Sequence, residues 1–269
     1  MTPIDQLLIV TISLAAGTIG AILGLGGGFI IVPMLVFVFG LPAQVAAGTS
    51  LVSLVFTAIS GSLGYTWQHR IDYRLGLSLA AASAPGAIVG SLATAYVQSR
   101  VLTALFGCFM ILVSVYIGVG TPPGRSSTVR DGWPRRLVDR DGKEFQYTVQ
   151  HLALAYPLVF LAGVLAGFFG VGGGALQVPV MIVLLGVPVE IATATSALMI
   201  LLSALTGAMA HNWLGNVAYE FALFIIISVI LGAQIGVQVQ RRTGPRTLRR
   251  LFALFLVVIG VRMILTLLA

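Results

Sequence analysis

The sequence predicts an all-α polytopic membrane protein built from two inverted repeats. Three observations lead to this fold class: the chain is too apolar for a soluble domain, its apolar residues form long segments, and the segments recur at a constant spacing. Of the 269 residues, 58% are hydrophobic and 9% are charged, whereas soluble domains carry roughly 25% charged residues. A chain of this composition requires lipid around much of its surface.

Apolar segments, about five in each half, make up most of the chain. A hydrocarbon layer of about 30 Å requires helices of roughly 20 residues, which the longer segments reach. Alternating segments of about 10 residues, typical of a transmembrane β-barrel, do not occur. We expect about 8 to 10 membrane segments in total. The apolar segments cover residues 4–23, 29–40, 48–66, 74–97, 101–119, 151–169, 175–186, 194–213, 218–239 and 248–268.

The hydropathy pattern divides the chain into three parts. We expect residues 1–119 to form the first transmembrane repeat, residues 151–269 the second, and the polar stretch 120–150 a cytoplasmic linker. Because its residues alternate on both sides of Asp141-Gly142, this stretch is predicted to be either a small β-hairpin or an extended linker. The first apolar segment lacks the basic start of a cleavable signal peptide, so we expect it to be retained as a membrane helix.

The two halves align without gaps at an offset of 146 residues. We interpret the alignment as a duplication, of the kind from which membrane transporters are often built. The identical pairs include Gly17 and Gly163, Gly24 and Gly170, Gly26 and Gly172, Gly27 and Gly173, Gly28 and Gly174, Pro33 and Pro179, Pro42 and Pro188, Thr49 and Thr195, Ser50 and Ser196, Gly61 and Gly207, Trp67 and Trp213, Tyr73 and Tyr219, Gly86 and Gly232, and Gly90 and Gly236.

Basic residues indicate how the two halves are oriented. They concentrate in the loops 67–74, 120–150 and 240–250, whereas the turn 98–100 has only one and the turn 214–218 has none. If each half crosses the membrane an odd number of times, the three basic loops share one side, and an even number would separate them. We therefore predict inverted repeats in the cell membrane, with cytoplasmic basic loops and both termini outside. The basic residues that give the net charge of +7 then determine the membrane topology, and we expect no nucleic-acid partner.

The motifs GLGGGFIIVP and GVGGGALQVP interrupt the two halves at matched positions. The apolar segments that follow, 29–40 and 175–186, have about 12 residues and would reach only about 18 Å as helices, so we expect broken or re-entrant helices. The N-terminus of such a helix exposes N–H groups and attracts anions. Glycine in membrane helices also serves close packing, which we expect for the G-x-x-x-G pairs. The predicted substrate-binding glycines are Gly26, Gly27, Gly28, Gly172, Gly173 and Gly174.

Polar side chains near these motifs extend the predicted binding site. Thr49-Ser50 and Thr195-Ser196 stand where the third segment of each half is expected to begin, so their hydroxyls either cap that helix or donate to an anion. Gln177 follows the second glycine motif at a position where the first half has Ile31. A polar residue whose equivalent is apolar suggests a ligand contact made by one half only.

His211-Asn212-Trp213 ends the third segment of the second half, and Trp67 ends that of the first. His211 either carries protons in a coupled cycle, because its pKa lies near neutrality, or serves as an interfacial hydrogen-bonding group. The two tryptophans either belong to the interfacial aromatic belt or stack on the substrate. We include all four residues in the predicted site.

No enzymatic chemistry is expected from this sequence. The chain has one cysteine and three widely separated histidines, and it contains neither an HExxH nor a Walker motif. We therefore predict no catalytic residue, no metal site and no cofactor. A membrane enzyme or an assembly protein is the rival class, and the sequence offers it no nucleophile–base pair.

The doubled motifs resemble those of the sulfite/sulfonate exporter family TauE/SafE. The stretches GLGGGFIIVPML with AAGTSLV and GVGGGALQVPVM with ATATSALM are similar to the family's GxGGG-x(4)-P and ATS-like elements, and HRIDYR and LGNVAYE are similar to its turn after the third segment. The resemblance covers nearly the whole chain except 120–150. The sequence departs from it at Gly48, where the second half keeps Ala194, and at Ile71-Asp72-Tyr73, which no Gly-Asn precedes.

The resemblance implies a secondary transporter that exports a small sulfur-containing anion, sulfite or an organosulfonate, by alternating access. The alternative is a passive anion channel, or a permease for another small organic anion. The expected partners are the small anionic substrate and the lipid bilayer. Proton coupling and a homo-oligomer are further hypotheses.

Overall fold

The computed structural model describes residues 2–119, 132–242 and 246–266. Within these ranges the chain forms helices and one β-hairpin. The 3₁₀ turn Thr94–Tyr96 extends α4, and the π-helical turn Val180–Leu184 extends α7. The elements are α1 (Pro3–Leu23), α2 (Gly28–Phe37), α3 (Ala43–Trp67), α4 (Tyr73–Ala93), α5 (Ser99–Val119), β1 (Trp133–Val138), β2 (Glu144–Val149), α6 (Leu152–Phe169), α7 (Gly174–Pro179), α8 (Val189–Trp213), α9 (Tyr219–Arg242) and α10 (Arg246–Leu265).

In the described part of the chain, seven helices are long and apolar enough to cross a membrane. They are α1, α3, α4, α5, α6, α8 and α9. The helices α2 and α7 are apolar but shorter, and so is the stretch Phe252–Leu265 of α10. The prediction of an all-α polytopic membrane protein is therefore confirmed.

The two short helices follow directly from the glycine motifs. The preceding helices α1 and α6 are capped at their C-terminal ends by Gly24 and Gly170, whose φ angles of +67° and +75° are left-handed and favour glycine. The chain then turns and starts again at Gly28 and Gly174. At 1.5 Å per residue, the ten residues of α2 span about 15 Å, half the thickness of a hydrocarbon layer.

The same elements recur in both halves with matched ends. Helices α3 and α8 each have 25 residues, and each begins after a proline with φ −55° and ψ 143°. The helix pairs also match: α1 packs on α9 and the equivalent α6 packs on α4, while α3 packs on α8 and α5 on α10. The opposite orientation of the halves across a membrane stays a prediction.

Small residues let these helices approach closely. A Cβ added to Gly17 of α1 would lie 2.7 Å from the carbonyl oxygen of Val229 in α9. The equivalent Gly163 of α6 has the same relation to Ser83 in α4. The glycines of both G-x-x-x-G pairs likewise contact backbone of the partner helix, at Phe160, Val164, Leu14 and Thr18. These contacts favour packing as the role of the pairs.

An antiparallel hairpin joins the two halves. Its strands β1 and β2 pair from Trp133 opposite Val149 to Val138 opposite Glu144. Its buried side chains, Phe145, Tyr147 and Val149, pack in a cluster with residues of α4, α7 and α8. Residues 120–131 of the predicted linker lie outside the described residues, and the boundaries 1–119, 120–150 and 151–269 stay a prediction.

Candidate functional site

The two glycine loops, residues 24–28 and 170–174, lie against each other. A Cβ added to Gly28 would stand 2.5 Å from the carbonyl oxygen of Gly170, and one added to Gly174 would collide with the carbonyl oxygen of Gly24. Every residue of both loops is buried. The six predicted glycines therefore come together from opposite halves of the chain, and only glycine permits so close an approach of two backbones.

Backbone donors are left without partners in both loops. Each short helix begins here, and the first N–H groups of a helix have no acceptor within it. Among the described residues, hydrogen bonds from the loops account only for the amides of Gly24, Leu25, Gly170 and Val171, which donate back to the preceding helices. The amides without a described acceptor are those of Gly26, Gly27, Gly28, Gly172, Gly173 and Gly174.

The predicted serines connect each half to the glycine loop of the other. The Ser50 hydroxyl donates to the carbonyl oxygen of Gly170 at 2.7 Å, and the Ser196 hydroxyl lies 3.0 Å from that of Gly24 and 2.8 Å from that of Thr193. Their predicted alternative role as helix caps is wrong, because α3 and α8 begin several residues earlier, after proline. In this arrangement the serines act on the loops as tethers.

The predicted threonines bond to the turns that follow α3 and α8. Thr195 accepts from the backbone N–H of Asp72 at 3.1 Å, and Thr49 accepts from that of Ala218 at 2.9 Å. These two bonds are equivalent, because Thr195 follows Thr49 by 146 residues and Ala218 follows Asp72 by the same number. Capping of α3 and α8 by the threonines is likewise wrong.

Two apolar residues that we did not predict lie between the glycine loops. A Cβ added to Gly26 would lie 3.1 Å from Leu54 and 3.9 Å from Ile200. A Cβ added to Gly172 would lie 2.9 Å from Ile200 and 3.2 Å from Leu54. Leu54 and Ile200 are equivalent positions of α3 and α8, so the two halves meet at this contact. The only feature of the sequence that could have indicated these two residues is that they occupy equivalent positions, 146 residues apart.

Gln177 is buried beside the second loop with its amide unpaired. Its side chain is 0% exposed, and neither Oε1 nor Nε2 has a partner among the described residues. A Cβ added to Gly173 would lie 2.8 Å from Nε2, which places the amide against the start of α7. Buried polar atoms without partners are costly and rare in native structures. The unpaired amide therefore points to a ligand or water at this place.

His211 is buried near the end of α8. Its Nε2 lies 2.9 Å from the carbonyl oxygen of Gly167, and its Nδ1 has no partner within the described part of the chain. The equivalent residue, Tyr65, donates its hydroxyl to the carbonyl oxygen of Ala21 at 2.9 Å. Asn212 is exposed and accepts from Tyr219, so it bonds within its own helix–turn unit and not at the glycine loops.

The two predicted tryptophans lie away from the glycine loops. Trp67 and Trp213 are 59% and 80% exposed, and each stands 13 residues, about 20 Å, along its helix from Leu54 or Ile200. The guanidinium of Arg140 lies 3.5 Å from the ring centroid of Trp67. These positions agree with an interfacial belt and give no support to stacking on a ligand at the loops.

The hairpin is fixed to the membrane helices by buried charge. Asp72, at the start of α4, accepts from Arg135 Nε at 2.8 Å and from Tyr147 at 2.7 Å, and Arg70 donates to Asp139 at 2.8 Å. Burial alone would raise the pKa of Asp72, but the hydrogen bonds from Arg135 and Tyr147 outweigh it and hold that pKa below the usual value.

Within the residues that the structure describes, no three His, Cys, Asp or Glu side chains come together as a metal site.

The chain is matched over residues 9–263 by the family profile described as sulfite exporter TauE/SafE. It is 33% identical to the "Probable membrane transporter protein YunE" of Bacillus subtilis (strain 168), with 96% of each chain covered.

More distant relatives have similar names. The chain is 28% identical to a "Probable membrane transporter protein" of Xylella fastidiosa (strain Temecula1), over 96% of this chain and 95% of the relative. It is 25% identical to a "Probable membrane transporter protein" of Methanocaldococcus jannaschii, with the same coverage. No solved structure matches the chain. The chain is thus a multi-pass membrane protein that belongs to the sulfite exporter TauE/SafE family of probable membrane transporters.

Proposed function

We propose that the protein is a secondary transporter that exports a small sulfur-containing anion, sulfite or an organosulfonate, across the cytoplasmic membrane by alternating access. The observation that carries this proposal is the contact between the two glycine loops, where backbone amides from both halves lie buried and have no acceptor among the described residues. Transport itself accords with the names of the curated relatives.

The chemistry of the loops suits an anion with several oxygen acceptors. Two helices begin at the loops, and the positive ends of their dipoles favour negative charge. The glycine amides provide donors from both halves, and the unpaired amide of Gln177 adds donors from one. A sulfonate has three acceptor oxygens around a single negative charge, so it can accept from several converging donors at once.

The crossing of α3 and α8 supports inverted repeats. Gly48, early in α3, lies against His211, late in α8, and Leu51 lies against Gly207. The two helices therefore run antiparallel, and a two-fold axis that relates them is perpendicular to both. Such an axis lies in the plane of the membrane if the helices cross it, which is the symmetry of inverted repeats.

The hairpin contacts agree with this orientation. Arg70, after α3, and Glu190, at the start of α8, both bond to the hairpin. The start of α3 lies at the opposite end, where the Ala43 amide donates to the hydroxyl of Ser99, the first residue of α5. We place the hairpin side in the cytoplasm, with the other basic loops, and both termini outside.

The contact of Leu54 and Ile200 favours a carrier over the passive anion channel. Their side chains occupy the space between the loops, whereas a channel requires a continuous wet path. Counterflow, in which external substrate accelerates the exit of labelled internal substrate, separates the two mechanisms.

Since neither the sequence nor the relatives' names indicate catalysis, we also propose that the protein is not an enzyme.

Proton coupling is proposed through His211, which is buried and whose Nδ1 has no partner in the residues that the structure describes. A homo-oligomer stays a prediction.

Flux into proteoliposomes tests the central claim. We expect labelled sulfite or a sulfonate to be transported by the wild type, and Gly27→Leu and Gly173→Leu to lower the flux at least about tenfold. Gly40→Leu is the matched control for Gly173→Leu, because both glycines have a positive φ but a Cβ added to Gly40 meets nothing within 4 Å. Full flux in both loop variants would exclude the glycine site, and absence of flux for every anion tested would exclude the substrate class.

A further inference from the structure

The β-hairpin covers one of the two equivalent ends of the helix bundle. Residues that bond to the hairpin or pack beneath it are buried, whereas the equivalent positions at the other end are only half-buried by the described residues. The buried residues and their half-buried equivalents are Arg70 and Asn216, Asp72 and Ala218, Leu75 and Phe221, Leu185 and Phe39, and Val187 and Leu41. The two ends therefore differ in the cover that protein atoms give them.

Beneath the hairpin, both ends are closed by the same contact. Thr195 accepts from the amide of Asp72 at the hairpin end, and Thr49 accepts from the amide of Ala218 at the other end. The symmetry of the helices would thus close the two ends alike. The hairpin adds a second set of contacts at one end.

Polar bonds attach the hairpin to the first half of the chain. The carboxylate of Asp72, which is 1% exposed, accepts from Arg135 Nε at 2.8 Å and from the Tyr147 hydroxyl at 2.7 Å. The amide of Arg140 donates to the carbonyl oxygen of Gln68, after the end of α3, at 3.1 Å. The hairpin can therefore leave the start of α4 only by breaking a buried ion pair, whose loss is costly.

An apolar face attaches the hairpin to the second half. Successive residues of a strand point to opposite sides, and the buried side chains of β2 are Phe145, Tyr147 and Val149. They belong to one cluster with Met181 of the turn that extends α7 and Ile191 of α8. Because α7 leads directly from the second glycine loop to this end, the hairpin covers the end of a segment that reaches the proposed site.

We propose that the hairpin is a latched cover, and that the hairpin end of the bundle opens to solvent only when Arg135 leaves Asp72. The cover does not depend on which anion is carried. Its role in transport rests on the proposed function, because alternating access requires each end to open once in every cycle. Release of the hairpin is then a step that only one of the two ends requires.

Single cysteines at Val187 and at its equivalent Leu41 report on the two ends. They are introduced with Cys108→Ser into the full chain, which is purified in detergent and treated with a water-soluble maleimide. We expect Val187→Cys to react at least about tenfold more slowly than Leu41→Cys, because a covered thiol reacts only while its surroundings open.

Breaking the latch should expose the covered thiol. We expect Arg135→Leu to accelerate the reaction of Val187→Cys at least about tenfold and to leave that of Leu41→Cys unchanged. Arg136→Leu is the matched control, because Arg136 is the next residue of β1 but is 70% exposed and bonds Glu144 within the hairpin. It should leave both reactions unchanged.

A milder variant and a buried thiol separate release of the hairpin from unfolding. Tyr147→Phe removes one hydroxyl from the latch and should accelerate the reaction of Val187→Cys about fivefold. Val113→Cys, buried in α5 outside the hairpin cluster, should stay unreactive in every variant. If Arg135→Leu makes Val113→Cys reactive, that variant is unfolded and the result with Tyr147→Phe decides.

Cross-linking tests the role of the cover in transport. The side chains of Lys143 in the hairpin and Glu190 in α8 are in contact, so cysteines at both positions can be joined by a cleavable bismaleimide. We expect the cross-link to lower flux into proteoliposomes at least about tenfold, and cleavage to restore it. The matched control joins Arg136→Cys to Glu144→Cys, which lie together within the hairpin, and should leave flux unchanged.

The outcomes separate the cover from the proposed transport. Equal reaction of Val187→Cys and Leu41→Cys without a latch variant, no acceleration by Arg135→Leu and Tyr147→Phe, or equal acceleration by Arg136→Leu would each overturn the latched cover. Full flux with the hairpin cross-linked to α8 would overturn its role in the cycle. If no anion is transported, the labelling still decides whether the cover exists, and the absent flux contradicts only the proposed function.

Discussion

Tyr65 and His211 make the same contact in the two halves of the chain. Each is buried in the third helix of its half, and each bonds the carbonyl oxygen of the residue three positions before a glycine loop, Ala21 or Gly167. The bond holds the end of α1 or α6 against the helix that it crosses. The first half makes this contact with a hydroxyl, and the second half makes it with a titratable ring.

This pair gives a direct test of proton coupling. His211→Gln keeps a side-chain donor near the carbonyl oxygen of Gly167 and removes the titratable ring. We expect counterflow to persist in this variant and the stimulation of flux by an imposed pH gradient to disappear. Flux in proteoliposomes with and without the gradient measures both.

Tyr65→Phe is the matched control, because it removes the equivalent hydrogen bond and no proton carrier. It should cost about 1 kcal/mol of stability and leave the response to the gradient unchanged. A His211→Gln protein that still responds to the gradient would exclude His211 as the coupling group.

The serine tethers should contribute measurable stability across the two halves. Ser50→Ala and Ser196→Ala each remove a hydroxyl that bonds the glycine loop of the other half. We expect each to lower the free energy of unfolding by about 1 kcal/mol and to reduce substrate affinity, since the loops are then held less firmly. Thermal unfolding in detergent and ligand titration measure the two effects.

Ser53→Ala serves as the control for the tethers. Ser53 is buried in α3 but bonds only a carbonyl of its own helix, that of Thr49 at 3.0 Å. Its loss should change stability less than loss of either tether. Equal effects of all three substitutions would contradict the tether role.

The helices could be predicted from sequence, but the starts of α3 and α8 could not. Length and hydropathy specify the spans, and glycine with proline marks the two short helices. Helices α3 and α8 begin at Ala43 and Val189, five residues before the predicted starts, because proline sets the first turn while Gln44 and Glu190 interrupt the apolar pattern. Thr49 and Thr195 therefore lie inside helices, which changes the partners available to their hydroxyls.

The glycine loops could be singled out from the sequence, whereas their surroundings could not. The doubled motif is a strong local signal. Leu54 and Ile200 are apolar residues in apolar segments, so only the crossing of α3 and α8 distinguishes them from their neighbours.

The ion pair of Asp72 and Arg135 makes stability depend on acid pH. The pKa of Asp72 is lowered in the folded protein, so the pair stabilises the fold fully above the ordinary carboxyl pKa of about 3.9 and less as the pH falls through the lower, folded-state pKa. We expect Asp72→Asn to lose about 3 kcal/mol at neutral pH and to show a weaker dependence on acid pH. Thermal unfolding between neutral and acidic pH measures both.

Glu144→Gln is the control for this ion pair, because the contact of Glu144 with Arg136 is solvent-exposed. It should change stability by less than about 1 kcal/mol. A loss as large as that of Asp72→Asn would contradict a special contribution from the buried pair.

The predicted orientation can be tested with single cysteines. Cys108→Ser removes the only native cysteine, and Gln146→Cys or Gln98→Cys then places one thiol on the exposed side of the hairpin or in the turn between α4 and α5. Inverted repeats with a cytoplasmic hairpin require opposite accessibility, because α4 connects the two ends. In intact cells, a membrane-impermeant maleimide should label Gln98→Cys and should reach Gln146→Cys only after the cells are opened. Labelling of both sites, or of the hairpin alone, would contradict this topology. Because the hairpin bonds to the end of α3 and the start of α8 together, labelling of the hairpin alone would reverse the assigned side of both helices and leave their antiparallel crossing in place.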